Sequence, residues 1–115
     1  MNRLYHNPRC SKSRQTKELL ESNGTEFEVI EYLKKTPSVN ELREIVKMLG
    51  LQSAHELIRT KETVYAEKNI AALKNDETAL LKAMTENPVL IERPIFVSGD
   101  RAAIGRPPES VLELT

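Results

Sequence analysis

The sequence predicts an α/β domain that carries a helical insertion. Three observations lead to this prediction: β-type segments stand near both ends of the chain, amphipathic helical spacing fills the middle, and no repeat or low-complexity linker divides it. A length of 115 residues is that of one domain. We therefore expect a single domain over residues 1–115, with the insertion at about 38–87.

The first third of the chain predicts a strand, a helix and a second strand. Residues 3–6 favour a short strand that stops before Pro8, because proline lacks a backbone N–H and has a fixed φ. Good helix formers follow over residues 11–23, and Gly24 suits a left-handed C-terminal cap. Apolar residues within 26–32 then indicate the second strand.

The middle of the chain predicts three capped helices. Ser38 and Glu41 form a capping-box pattern ahead of apolar residues at helical spacing. A second box, Ser53 with Glu56, predicts a shorter helix, and Asp76 can cap another.

The last quarter of the chain returns to strand character. Residues 94–97 and 101–104, joined by a Ser98-Gly99-Asp100 turn, predict a β-hairpin. Pro107-Pro108 can then open a last helix, because proline is favoured in the first helical turn.

Composition excludes several classes of protein. The 17 Lys+Arg residues balance 17 Asp+Glu, so no basic excess supports a general nucleic-acid binder. No apolar run approaches the roughly 20 residues of a membrane span. The first eight residues lack the apolar core of a secretory signal. We expect a cytoplasmic protein with neither a membrane nor a nucleic-acid partner.

The chain has one cysteine, Cys10, which limits its redox chemistry. It can form neither an internal disulfide nor a multi-thiolate metal site. Only His6 and His55 add imidazoles, whereas zinc sites usually need four ligands. We expect no metal and no bound cofactor, and any redox cycle must use a thiol from outside the chain.

The position of Cys10 at the predicted start of a helix favours a reactive thiolate. Unpaired backbone N–H groups and the positive end of the helix dipole lower a thiol pKa there and also attract anions. Lys12 and Arg14 add positive charge, and His6 precedes the cysteine by four residues. The alternative is a small buried hydrophobe, but the polar neighbours of Cys10 favour a nucleophile.

Two comparisons narrow the chemistry of this thiol. A tyrosine-phosphatase loop needs an arginine six residues after the cysteine, where this chain has Thr16. A dithiol oxidoreductase needs a second cysteine three residues after the first, where this chain has Ser13. The serine hydroxyl can hydrogen-bond the thiolate but cannot resolve a mixed disulfide. We take His6 and Ser13 as candidate catalytic residues beside Cys10.

Four dispersed motifs of the chain together resemble those of the glutaredoxin-linked ArsC arsenate reductase family. They are the segment from Tyr5 to Arg14, Arg59 after Glu56-Leu57-Ile58, the pair Arg93-Pro94 and the run Gly105 to Glu109. The resemblance covers nearly the whole chain. It implies a thioredoxin-like fold with a helical insertion and a cis Arg93–Pro94 peptide. It also implies that Cys10 attacks arsenate, that glutathione is the co-substrate and that glutaredoxin restores the thiol. The guanidinium groups that hold the anion would be those of Arg59, Arg93 and Arg106.

The chain departs from that family pattern around the cysteine. Arg9 stands where a small residue is usual, and Ser11-Lys12 replaces a Gly-Thr pair. These cations leave open a thiol reductase of another oxyanion or of a disulfide. A regulator resembling the Spx proteins, which bind RNA polymerase, and a monothiol glutaredoxin-like protein with an iron–sulfur cluster also stay open. Ser13 weakens the similarity to the Spx proteins, because it breaks their usual C-x-x-C pair.

Overall fold

The computed structural model of the protein describes residues 2–115. The strands are β1 (Asn2–His6), β2 (Glu28–Glu31), β3 (Ile95–Ser98) and β4 (Arg101–Ile104). The α-helices are α1 (Ser11–Ser22), α2 (Val39–Met48), α3 (Thr63–Glu67) and α4 (Glu77–Glu86). Short 3₁₀ helices span Ala54–Leu57, Ile70–Leu73, Pro88–Leu90 and Pro108–Leu114. None of the helices in this part of the chain is long and apolar enough to cross a membrane.

The chain divides into two compact units. The first combines the residues up to Lys35 with Arg93–Thr115, and the second is Thr36–Glu92. The second unit contains helices and no strand of the sheet, and it occupies the place of the predicted insertion, with slightly wider bounds. The prediction that residues 1–115 form a single domain remains a prediction.

The first unit contains a four-stranded sheet in the order β2-β1-β3-β4. β1 is parallel to β2 and antiparallel to β3, with Leu4 opposite Phe96 in the β1–β3 register. β3 and β4 form the predicted hairpin, and Gly99 in its two-residue turn has a φ of +63°. The predicted strand, helix, strand and hairpin are therefore confirmed. The carboxyl end of the central strand β1 leads directly to Cys10.

One face of this sheet carries a small apolar core. Leu4, Phe96, Leu20 of α1 and Val111 of the last 3₁₀ helix are fully buried together. The ring of Phe27 meets that of Phe96 edge-on, with centroids 6.3 Å apart. Burying each such side chain contributes about 1.5–3 kcal/mol. This packing fixes α1, and with it the start of the helix at Cys10, against the sheet.

The caps predicted for the second unit are confirmed. The Ser38 hydroxyl accepts from the backbone N–H of Glu41, whose side chain accepts from the Ser38 N–H, and α2 starts there. A carboxylate oxygen of Asp76 accepts from Ala79 N at 3.1 Å at the start of α4.

Other helix predictions for the chain need correction. The Ser53–Glu56 box is present, but it starts a four-residue 3₁₀ helix. The helix predicted after Pro107 is also of the 3₁₀ type. No local signal predicts α3 as a separate helix, because none of its five residues is buried and it therefore has no apolar stripe.

The wider bounds of the second unit have a local cause. Ile58 and Ile91 form an isolated antiparallel bridge. Beside it, Arg59 N donates to Leu90 O at 2.7 Å and Glu92 N donates to Leu57 O at 2.8 Å. These bonds tie residues 90–92 to the second unit, beyond the predicted end of the insertion at about 87.

Candidate active site

A tight turn connects β1 to α1 and presents Cys10. The Asn7 side-chain oxygen accepts from Arg9 N, and the Asn7 carbonyl accepts from Cys10 N, both at 3.0 Å. Cys10 is the N-cap residue of α1, with φ −94° and ψ 124°. The thiol is free and half-buried. The predicted position of Cys10 at a helix N-terminus is confirmed.

The surroundings of Cys10 favour the thiolate. Burial is the largest influence on the thiol pKa and raises it, but hydrogen bonds outweigh burial and the pKa is lowered overall. The donors are the backbone N–H groups of Ser13 and Lys12 and the side chain of Arg93, whose positive charge lowers the pKa further. The first turn of α1 therefore serves as an anion site for the sulfur, as expected for a helix N-terminus.

Two of the predicted arginines meet at this sulfur. The Arg93 side chain hydrogen-bonds to Cys10, and Arg106 Nη2 lies 3.5 Å from Cys10 Sγ. Arg106 Nε also donates to the Arg93 carbonyl at 2.8 Å, which links the two residues. The Arg93–Pro94 peptide is cis, as the resemblance implied, and the Arg106–Pro107 peptide is cis as well.

His6 and Ser13 form a buried network beneath the turn. His6 Nδ1 lies 2.7 Å from Ser13 Oγ, and Asn7 N donates to the same oxygen at 3.0 Å. Ser13 is 0% exposed and His6 is 5% exposed. The sequence suggests that the Ser13 hydroxyl bonds the thiolate; in the structure it bonds His6 and Asn7, and the backbone N–H of Ser13 favours the thiolate instead.

The pKa of His6 lies below its ordinary value. Burial is the main cause, followed by the positive charge of Lys17. Glu31 opposes them, and Arg14 and Glu21 have smaller effects that lower and raise the pKa respectively. His6 is therefore a neutral imidazole at neutral pH. It connects to the cysteine helix through Ser13.

Replacing Ser13 with alanine is expected to destabilise the fold. The buried N–H of Asn7 would lose its acceptor on Ser13, and the His6 ring would lose a partner, so unfolding should become easier by about 1–3 kcal/mol. Urea unfolding followed by circular dichroism measures the change. Ser22→Ala, on the exposed face of the same helix, is the matched control and should change stability by less than about 0.5 kcal/mol. Equal stability of the two variants would contradict the role of this network.

Arg59 lies in the second unit, where two carboxylates hold its guanidinium. Its Nε is 3.1 Å from Glu62 Oε2 and its Nη1 is 2.8 Å from Glu92 Oε1. Burial lowers the pKa of Arg59, but the two carboxylates raise it overall. The side chain is therefore cationic and fixed in orientation. Its role as a third anion-holding arginine remains a prediction.

The remaining histidine, His55, also lies in the second unit. Its Nε2 is 2.8 Å from the Tyr65 hydroxyl, and the two rings meet edge-on. Across residues 2–115, no three His, Cys, Asp or Glu side chains are grouped to hold a metal ion. The expectation of no metal remains a prediction.

Some features of the site were not expected from the sequence. Gly105, directly before Arg106, packs tightly against Thr16 of α1 and against Pro94. Its only sequence signal is its place in the run Gly105 to Glu109. Arg14 turns back to donate to the Pro8 carbonyl at 2.9 Å, so it braces the turn.

Comparisons with known proteins agree over almost the full length. The ArsC family matches residues 5–114. The chain is 53% identical over 112 residues to the uncharacterized protein YfgD of Escherichia coli (strain K12), covering 97% of this chain and 94% of that protein. It is 49% identical over 111 residues to the arsenate reductase of Haemophilus influenzae, covering 96% of each. The solved structure of the arsenate reductase from Vibrio cholerae matches it with a TM-score of 0.95 at 47% identity, covering 99% of this chain and 97% of that one.

Proposed function

Because this chain belongs to the ArsC family, we propose that it is an arsenate reductase that uses Cys10 as its nucleophile. The observation that most supports this proposal is the environment of Cys10. Its thiol is half-buried and has a lowered pKa, and the guanidinium groups of Arg93 and Arg106 lie beside it. Attack on an oxyanion requires a nucleophile and nearby positive charges that stabilise the anion, and both are present here.

Simple magnitudes support this assignment of the arginines. A thiolate and an arsenate anion repel each other by about 4 kcal/mol per pair of unit charges at ~4 Å and an effective dielectric constant of ~20. A hydrogen bond to a charged group contributes about 1.5–3 kcal/mol. Two arginines therefore suffice to offset the repulsion from one negative charge. Arginine suits the task because its planar fork can donate two parallel bonds to one oxyanion.

The proposed cycle is covalent and balanced. The Cys10 thiolate attacks arsenic(V) and displaces one protonated oxygen as water, which gives a thioester-like adduct. The glutathione thiolate then attacks the Cys10 sulfur and forms a mixed disulfide. The sulfur–arsenic bond breaks, and its electron pair stays on arsenic, which is thereby reduced from arsenic(V) to arsenic(III). Arsenite leaves with the proton that glutathione gave up. Glutaredoxin removes the glutathione by thiol exchange and restores Cys10.

The remaining parts of the proposal come from the family resemblance. Arg59 would be the third anion-holding guanidinium, as the resemblance implies. Its Nε and Nη1 are bonded to Glu62 and Glu92, so the anion would have to compete with these carboxylates. Glutathione and glutaredoxin would supply every other thiol, because Cys10 is the chain's one cysteine. A cytoplasmic location, where both are found in reduced form, would fit this cycle.

Intact mass spectrometry tests the cycle directly. The purified protein is incubated with glutathione, with and without arsenate, and we expect one glutathionyl adduct per chain that forms only when arsenate is present. Peptide mapping should place the adduct on Cys10. Adding glutaredoxin should remove it and should support arsenate-dependent oxidation of NADPH through glutathione reductase.

Phosphate in place of arsenate is the matched control for anion specificity. Phosphate has the same shape and charge but is not reduced by thiols, so it should give no adduct. An adduct that forms equally without arsenate would contradict the proposal, because its oxidant would then be oxidised glutathione or oxygen in the sample and not arsenate. Co-purification with RNA polymerase, together with no turnover of arsenate, would instead support the regulator alternative.

A further inference from the structure

Gly105 lies at a close contact between three segments of the first unit. It follows the last residue of β4, and its backbone N–H donates to the Pro94 carbonyl at 2.9 Å. A Cβ placed on Gly105 would lie 2.5 Å from Thr16 Oγ1 and 2.8 Å from Pro94 Cγ. Real Cβ atoms essentially never approach other atoms this closely. Any side chain here would push β4, α1 and Pro94 apart.

The glycine is needed for space and not for its backbone conformation. Gly24, Gly50 and Gly99 all have positive φ angles and open space around the missing Cβ. Gly105 differs in both respects, since its φ does not lie in the positive region and its surroundings are closely packed, so that it is buried. Both neighbours resist displacement: Thr16 is fully buried and its hydroxyl donates to the Lys12 carbonyl at 2.8 Å.

The contact is connected to the reacting sulfur through Arg106. Arg106 follows Gly105 directly, and its guanidinium bridges the Arg93 carbonyl and Cys10 Sγ. Pro94 follows Arg93 directly. A displacement of Gly105 is therefore passed to Arg106 through one peptide bond. A shift of about 1 Å would break the hydrogen bond from Arg106 Nη2 to Cys10 Sγ, which is 3.5 Å long.

We propose that Gly105 is a positioning residue that sets the approach of Arg106 to Cys10 by letting β4 close against Thr16 and Pro94. The consequence for arsenate binding rests on the proposed function, but the consequence for the thiol does not. Gly105 itself touches neither sulfur nor anion. Its effect is exerted through Arg106.

The test replaces Gly105 with alanine and compares this variant with Arg106→Ala. In the coupled assay, Gly105→Ala should raise the KM for arsenate at least about tenfold with a smaller change in kcat, since the main loss is a charge-assisted bond to the anion. The second measurement is made without arsenate and follows the rate at which iodoacetamide alkylates Cys10 as the pH is raised. In Gly105→Ala, the pH at which this rate reaches half of its maximum should be higher than in the wild type. The midpoint should move in the same direction as in Arg106→Ala.

A double-variant cycle separates positioning from loss of stability. If Gly105 acts through Arg106, the Gly105→Ala/Arg106→Ala double variant should lose little more than Arg106→Ala alone. Removing the obstructing Thr16 atoms in Thr16→Ala/Gly105→Ala should bring KM only part of the way back towards that of Thr16→Ala, because the close contact with Pro94 remains.

Val97→Ala provides the matched control for a destabilised core. Val97 is fully buried on β3 of the same unit and does not belong to the apolar cluster that holds α1, so its loss should lower the melting temperature, with KM and the alkylation midpoint unchanged. The proposal is overturned if Gly105→Ala behaves like Val97→Ala, or if its effect adds fully to that of Arg106→Ala. If the wild type reduces no arsenate, the proposed function fails, and the alkylation midpoints still decide the role of Gly105.

Discussion

Cys10→Ser is expected to abolish arsenate-dependent turnover, with a loss of at least about 10³-fold, while the fold stays intact. A serine hydroxyl remains protonated at neutral pH, and neither the helix N-terminus nor Arg93 can make it a comparable nucleophile. The coupled NADPH assay measures the loss, and mass spectrometry should show no glutathionyl adduct. The structure predicts little effect on stability, because Cys10 is a half-buried N-cap residue and serine is favoured at that position.

Two controls make the Cys10 result decisive. Circular dichroism and urea unfolding should be near those of the wild type, which shows that the loss is chemical. Cys10→Ala should be as inactive as the serine variant, since neither carries a thiol. Wild-type rates of arsenate-dependent NADPH consumption in either variant would refute the covalent mechanism.

Arg93→Ala should have the next largest effect, lowering kcat/KM by about 10²- to 10⁴-fold through the loss of two charge-assisted bonds. Arg93 both hydrogen-bonds the sulfur and lowers its pKa by its charge. Without it the pKa of Cys10 rises, so less thiolate is present at neutral pH. The rise of activity with pH should therefore move to higher pH, as should the alkylation profile of the thiol.

Arg93→Lys and Arg101→Ala are the matched variants for this experiment. Lysine keeps the positive charge but loses the planar fork, so its activity should lie between those of the wild type and Arg93→Ala. Arg101 is an exposed arginine on β4, and its removal should leave kcat/KM and the pH profile nearly unchanged. An Arg93→Ala enzyme with an unshifted pH profile would contradict the assigned influence of Arg93 on the thiol.

Local sequence signals predicted the elements of the fold well where a helix cap or a glycine turn was present. The Ser38 box, the Asp76 cap and the turn at Gly99 each satisfy backbone groups or supply a positive φ, and each stands where it was expected. A cap does not determine the length or type of the helix after it, and the Ser53 box therefore starts only a 3₁₀ turn. The thioredoxin-like class with a helical insertion came from the resemblance, and it is confirmed.

The site was only partly predictable for a related reason. The placement of Cys10 depends on its own neighbours, so the sequence could indicate it. The approach of Arg93 and Arg106 depends on strand pairing across some 90 residues, which no local pattern encodes, and those residues came from the resemblance alone. The partner of the Ser13 hydroxyl is determined by where β1 ends, which only the structure shows.

The position of β1 between β2 and β3 has a consequence for the order of events on the ribosome. The nucleophile is made among the first residues, whereas both cations beside it belong to the last quarter of the chain. A nascent polypeptide that has not yet received β3 therefore lacks the influence of Arg93 and Arg106 on its thiol. The full reactivity of Cys10 should appear only once the last quarter of the chain has been made and has folded.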